Sequence, residues 1–98
     1  MYRKFLLSTA LWLFAFLSVF GNPNDDAQNL IDNAFAKMSK GEFRPALEFL
    51  TRAQILAEKH RLYDQQFVCS NNMGIIYFSL NNYGEALNHY LEAYTKNF

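Results

Sequence analysis

Few side chains in this 98-residue chain could do chemistry: two histidines, His60 and His89, and one cysteine, Cys69. A working nucleophile needs a base within reach and a further group to orient that base. Cys69 lies in an apolar stretch, where cysteine acts as a small buried hydrophobe rather than a reactive thiol. His60 stands in Glu58-Lys59-His60-Arg61 at the end of a helix, where a cation complements the helix dipole. His89, between Asn88 and Tyr90, fits a solvated helix face. No Ser/His/Asp order, Gly-rich phosphate loop or plausible carboxylate pair accompanies them, so no catalytic residue, enzyme activity or cofactor is expected. Two histidines without a cysteine cluster give no metal site, and a lone cysteine closes no internal disulfide.

The first residues belong to a different physical class from the rest. Arg3 and Lys4 precede an apolar run from Phe5 to Phe20 that is broken only by Ser8, Thr9 and Ser18. A basic head, an apolar run and a small exit residue form the secretory signal pattern, with the cut placed after Gly21. The competing reading is a short membrane anchor, although sixteen helical residues span roughly 24 Å of a hydrocarbon core about 30 Å thick. The chain is therefore expected to be exported, either periplasmic or extracellular, or else membrane-anchored. Removing residues 1–21 leaves seven basic and nine acidic side chains, a net charge of −2. That balance excludes a polybasic arm and removes the electrostatic basis for binding nucleic acid.

From Asn22 onward the pattern is helical. Valine occurs there only at Val68, and no alternating β-branched run exceeds four residues. The first helix is expected from Asp25 to Lys40, capped by Asn24 and ended by Gly41. The second runs from near Phe43 to about His60, with Pro45 tolerated in its first turn. The third is capped by Asp64 and reaches Leu80, and the fourth runs from Tyr83 to the end.

An internal repeat organises these helices. Gly41-Glu42-Phe43-Arg44-Pro45-Ala46-Leu47 aligns with Asn81-Asn82-Tyr83-Gly84-Glu85-Ala86-Leu87 at an offset of 40. Further along, Leu50 aligns with Tyr90 and Ala53 with Ala93. Alanines seven apart let a neighbouring helix approach closely, and the large residue between them locks the packing.

On these residues the chain resembles the tetratricopeptide repeat (TPR) family. The second repeat carries Met73-Gly74, Tyr77, Ala86, Tyr90 and Ala93, with Ser70 where the family often has Trp. The first repeat is looser, with Leu30, Ala34, Lys37, Ala46, Leu50 and Ala53. The closing proline is missing from both, and the step is 40 rather than 34. About six residues must therefore extend the helices or form a loop between Leu56 and Phe67. Longer steps occur in bacterial and signalling members of the family.

The resemblance implies an all-α fold: two antiparallel helix pairs in a TPR-like α-α superhelix, as part of a longer solenoid. The domain organisation is then a signal peptide or short anchor over 1–21 and a TPR region over 22–98, with repeats at about 27–60 and 67–98. It also implies a scaffold function, protein–protein interaction with a protein or peptide held in a groove lined by the first helix of each repeat. The corresponding positions are Ile31, Phe35 and Met38 in the first repeat and Asn71, Ile75 and Phe78 in the second. None is basic, so an apolar or aromatic ligand face suits the groove better than a carboxylate, with Asn71 and Asn72 available to a peptide backbone. The alternative is the extracytoplasmic sensor region of a longer membrane-bound regulatory protein.

The ends of the array differ. On the third helix Cys69, Met73, Ile76 and Leu80 form one apolar stripe, with Asn71, Ile75 and Phe78 on another side, a pattern expected to be buried on several faces. The matching first-helix positions are Asn29, Asn33, Ala36 and Lys40, as suits a solvated terminal repeat. On the fourth helix Leu87, Leu91, Tyr94 and Phe98 form an outer stripe with nothing in the chain to cover it, which points to self-association or to further repeats.

Overall fold

The computed structural model describes residues 21–96. Among them are four α-helices and no strand: α1 (Pro23–Ser39), α2 (Phe43–Lys59), α3 (Tyr63–Ser79) and α4 (Tyr83–Thr95). The fold is therefore all-α, and each helix begins twenty residues after the previous one. Residues 1–20 of the expected signal segment, and Phe98, lie outside the described residues.

The regular spacing comes from three turns of one design. Gly41, Arg61 and Asn81 each adopt a left-handed backbone, at φ 72°, 54° and 62°. The next N–H in each turn reaches back to the helix it leaves: Glu42 donates to the Lys37 carbonyl at 2.9 Å, Leu62 to Ala57 at 2.8 Å and Asn82 to Tyr77 at 2.8 Å. Gly41, Arg61 and Asn81 make the accompanying inner bonds to Met38, Glu58 and Phe78. This is the Schellman closure, which satisfies the last carbonyls of a helix and reverses the chain. Glu42, Leu62 and Asn82 then serve as N-caps of the helices that follow. The extra residues between Leu56 and Phe67 are thus absorbed as helix on either side of a short turn.

Two expected caps move. Asn22, not Asn24, caps α1, its side chain accepting the Asn24 N–H at 2.9 Å, because Pro23 fits the first helical position. Asp64 lies inside the first turn of α3 rather than at its cap, where a carboxylate favours the helix dipole. Asn82 caps α4 as a side-chain acceptor for the Glu85 N–H at 3.4 Å.

The helices pack in chain order, α1 on α2, α2 on α3 and α3 on α4, with a lighter contact between α1 and α3. Ile31, Ala34, Ala46, Leu50, Ala53, Cys69, Met73 and Ile76 form the core. The paired alanines Ala46/Ala53 and Ala86/Ala93 are all buried, as close helix approach requires. Gly74 has a specific reason to be glycine: a Cβ there would stand 2.6 Å from Cε1 of Tyr90. Forty residues earlier the same two positions hold Ala34 and Leu50, a larger small residue matched to a smaller large one. Gln66, buried in α3, donates its amide to the Ala57 carbonyl at 3.1 Å and ties α3 to the end of α2.

The difference between the first and third helices is borne out on one face only. Asn29, Asn33, Ala36 and Lys40 are exposed, whereas Cys69, Met73 and Ile76 are buried. The expected burial fails elsewhere: Ile75 and Phe78 on the other side of α3 are exposed, and so is Leu80, the last member of the buried stripe, which lies just past the end of the helix.

Candidate functional site

Helices α1 and α3 present the residues expected to line a groove. Phe35 (41% exposed), Ile75 (38%) and Phe78 (58%) are open to solvent, and Met38 and Asn71 are half-buried. Phe35 and Ile75 occupy equivalent positions of the two helices, as do Met38 and Phe78, so the two helices carry apolar groups in the same register. Ile31 is a correction. It is only 1% exposed and belongs to the core, because α1 turns that edge towards its neighbours rather than towards solvent.

The second repeat widens this surface. The Phe78 ring meets the Tyr83 ring edge-on, with centroids 5.2 Å apart, and the Tyr83 hydroxyl donates to Asn81 Oδ1 at 3.1 Å. Tyr63 and Leu80 are exposed as well, but away from this surface, Tyr63 at the start of α3 and Leu80 just past its end. Sequence reasoning missed Tyr83 because its repeat partner Phe43 packs on the core, whereas Tyr83 is more than half exposed. The Asn82-Tyr83-Gly84 context, lacking bulky apolar neighbours, was the available signal. Of the two asparagines considered for backbone recognition, Asn72 has already committed a donor: its amide N–H goes to the Val68 carbonyl at 2.7 Å. Asn71 has no side-chain hydrogen bond to a described residue, which leaves its amide the freer of the two.

A polar cluster binds α2, α3 and α4 together at the other end of the second repeat. The Gln54 amide donates to Ser70 Oγ at 2.9 Å and to Glu92 Oε1 at 3.4 Å. Lys96 Nζ lies 2.9 Å from carboxylate oxygens of both Glu58 and Glu92. Hydrogen bonding first to Glu58 and then to Glu92 raises the Lys96 pKa.

His89 is not on a solvated face as expected. Its ring stacks on Tyr77 of α3, 5.2 Å between centroids and 3° from parallel. Its Nε2 and Nδ1 are each 4.0 Å from a carboxylate oxygen, of Glu85 and Glu92 respectively, and Nδ1 is buried without a hydrogen bond. His60 is exposed at the C-cap of α2. Cys69 is fully buried, and its thiol is pushed up to about 12, first by burial and then by the Glu58 charge. Among the described residues no group of three His, Cys, Asp or Glu is placed to hold a metal ion.

Compared with protein-family models, with curated proteins and with solved structures, the chain finds no match. Its function is therefore read from geometry. No helix among the described residues is long and apolar enough to cross a membrane.

Proposed function

We propose that this chain is an exported TPR-type interaction module that holds a peptide or partner helix against the apolar face of α1 and α3, without catalysis. The observation that carries the proposal is the exposure of Phe35, Ile75 and Phe78 in matching register on those two helices. Isolated exposed apolar residues are ordinary, but a clustered set leaves apolar surface in water that a partner can cover. Covering the exposed part of a side chain such as Phe78 is worth on the order of 1–2 kcal/mol, so a few such anchors give useful affinity. No basic side chain lies among the groove positions, which favours an apolar ligand face over a carboxylate terminus.

The TPR-type assignment draws on the packing signature. Ala46-Leu50-Ala53 and Ala86-Tyr90-Ala93 supply the small-large-small lock, and Gly74 admits the Tyr90 ring. Where the family often has a bulky Trp, Ser70 is buried and accepts a hydrogen bond from Gln54, so a polar contact stands in place of an aromatic filling.

The test uses a chain beginning at Asn22, with its helicity checked first by circular dichroism. A displayed library of short peptides is selected on it and screened against an Ile75→Glu/Phe78→Glu variant. Apolar, aromatic-rich peptides should emerge and bind the variant at least about tenfold more weakly. A selection in which every peptide binds both forms equally, or none binds at all, overturns the proposal. Export is checked by intact mass: cleavage after Gly21 reduces the 11.4 kDa chain to roughly 9 kDa.

A further inference from the structure

We propose that the outer face of α4 is a pairing surface for a second copy of this chain, related to the first by a two-fold axis. Gly84, Leu87, Leu91 and Tyr94 follow one another at steps of three, four and three along α4. That spacing makes the seam that packs helices side by side at a shallow angle. Leu87, Leu91 and Tyr94 are each more than half exposed, at 57%, 53% and 58%. Nothing lies within 4 Å of where a Cβ on Gly84 would be, so a second backbone can come close at that end.

Polarity and charge select the occupant. Another copy could in principle continue the array by laying its α1 on α4, as α3 lies on α2. The outer face of α1, however, carries Asn29, Asn33 and Lys40, and burying these against leucines would strip an ammonium and two amides of water without partners. The α4 face matches itself instead. Its exposed core is Leu87, Leu91 and the Tyr94 ring, which leans edge-on against Phe67 of α3 and stays 58% exposed; it carries no charge, nor do the bordering Asn88 and Thr95. The charged groups of α4 lie on the opposite flank by helical geometry. There Glu92 and Lys96 are engaged with each other and with Glu58, and Glu85 lies beside His89. Two such faces meet without like-charge repulsion, and a self-complementary patch is what a closed two-fold dimer requires.

The repeat makes the point internally. The positions of α2 equivalent to Leu87, Leu91 and Tyr94 are Leu47, Thr51 and Gln54, of which two are polar, and Gln54 is hydrogen-bonded within the chain. The seam is therefore a property of α4 and not of the repeat pattern as such.

The experiment is disulfide trapping in the intact chain, with copper–phenanthroline as oxidant. Single Leu91→Cys and Asn88→Cys variants are compared with Asn33→Cys on the outer face of α1; native Cys69 is buried and stays in place. Two thiols join only where their Cα atoms approach to within about 7 Å. Leu91→Cys or Asn88→Cys should give a species of twice the chain mass, at least about tenfold more abundant than Asn33→Cys gives. Adding Leu87→Glu should remove it. The proposal is overturned if neither α4 variant forms a dimer, or if the dimer survives Leu87→Glu. It is equally overturned if differently tagged Leu91→Cys and Asn33→Cys chains cross-link to each other as readily as Leu91→Cys does to itself, which would mean head-to-tail stacking.

Discussion

The two helix pairs share a backbone plan and differ in what they leave in water. Both turn on a left-handed residue at the equivalent position, Gly41 or Asn81, and both bury their alanines at the same register. Of the ten exposed large hydrophobic residues among those described, Phe35 and Ile55 belong to the first pair and the other eight lie between Tyr63 and Tyr94. Exposed apolar surface is therefore concentrated in the second pair, and any partner that covers it would be held mainly there. The lesson is that a few positions specify the hairpin, at turn, alanine and lock, and leave the remaining faces free to diverge.

The largest expected contrast is chemical. Asn29 and Cys69 are equivalent positions, one exposed and the other fully buried. With its thiol pushed up to about 12, Cys69 holds its proton at pH 8. A cysteine introduced by Asn29→Cys should react with iodoacetamide on the order of a thousandfold faster than Cys69, because the thiolate is the reacting form. Denaturant should bring the two rates together. Because the folded pKa is raised, the unfolded chain gives up this proton first. Stability is accordingly lost as pH rises from about 8.5 towards the folded value. Equal rates in the folded chain would mean that the two first helices of the pairs are not environmentally distinct.

A second prediction tests the lock. Gly74→Ala puts a methyl against the Tyr90 ring and should cost about 2 kcal/mol in urea unfolding. Adding Tyr90→Leu recreates the Ala34/Leu50 pairing of the first repeat and should recover most of that loss. If the double variant is no more stable than the sum of the single effects allows, the two pairs pack by different rules.

Much of this was legible in the sequence and the rest fails for physical reasons. The offset of 40 gave the helix starts at Phe43 and Tyr83, and the Gly41 and Asn81-Asn82 turns announce themselves through residues that tolerate positive φ. The break between His60 and Asp64 was legible, but not that Arg61 makes it, because arginine carries no signal for a left-handed backbone. Hence the join between α2 and α3 read as possible loop. Ile31, Phe35 and Met38 share helical spacing, but spacing cannot say which edge of the stripe a neighbouring helix covers, and Ile31 is on the covered edge. His89 was misread for a similar reason: its stacking partner, Tyr77, comes from another helix.

The smallest expected effect concerns that unreadable turn. Gly41 and Arg61 close the first two helices in the same way, at φ 72° and 54°, yet only one of them has the residue that conformation favours. Gly41→Ala introduces a Cβ into a left-handed backbone and should destabilise by about 1 kcal/mol, with open space around it leaving conformational strain as the cause. Arg61→Gly removes the same strain from the second turn, but it also gives the unfolded chain more freedom to lose. The relief is the larger of the two, so the variant should be about 0.5 kcal/mol more stable, visible as a higher urea midpoint at unchanged slope. The Leu62 N–H bond to Ala57, and the Gln66 amide on that same carbonyl, should persist, since neither uses the Arg61 side chain. Arg61→Ala separates the two contributions, since it keeps the Cβ and its strain: if it matches the parent while Arg61→Gly is less stable, the loss lies in the unfolded chain, and if both are less stable, the side chain secures the join between the two helix pairs.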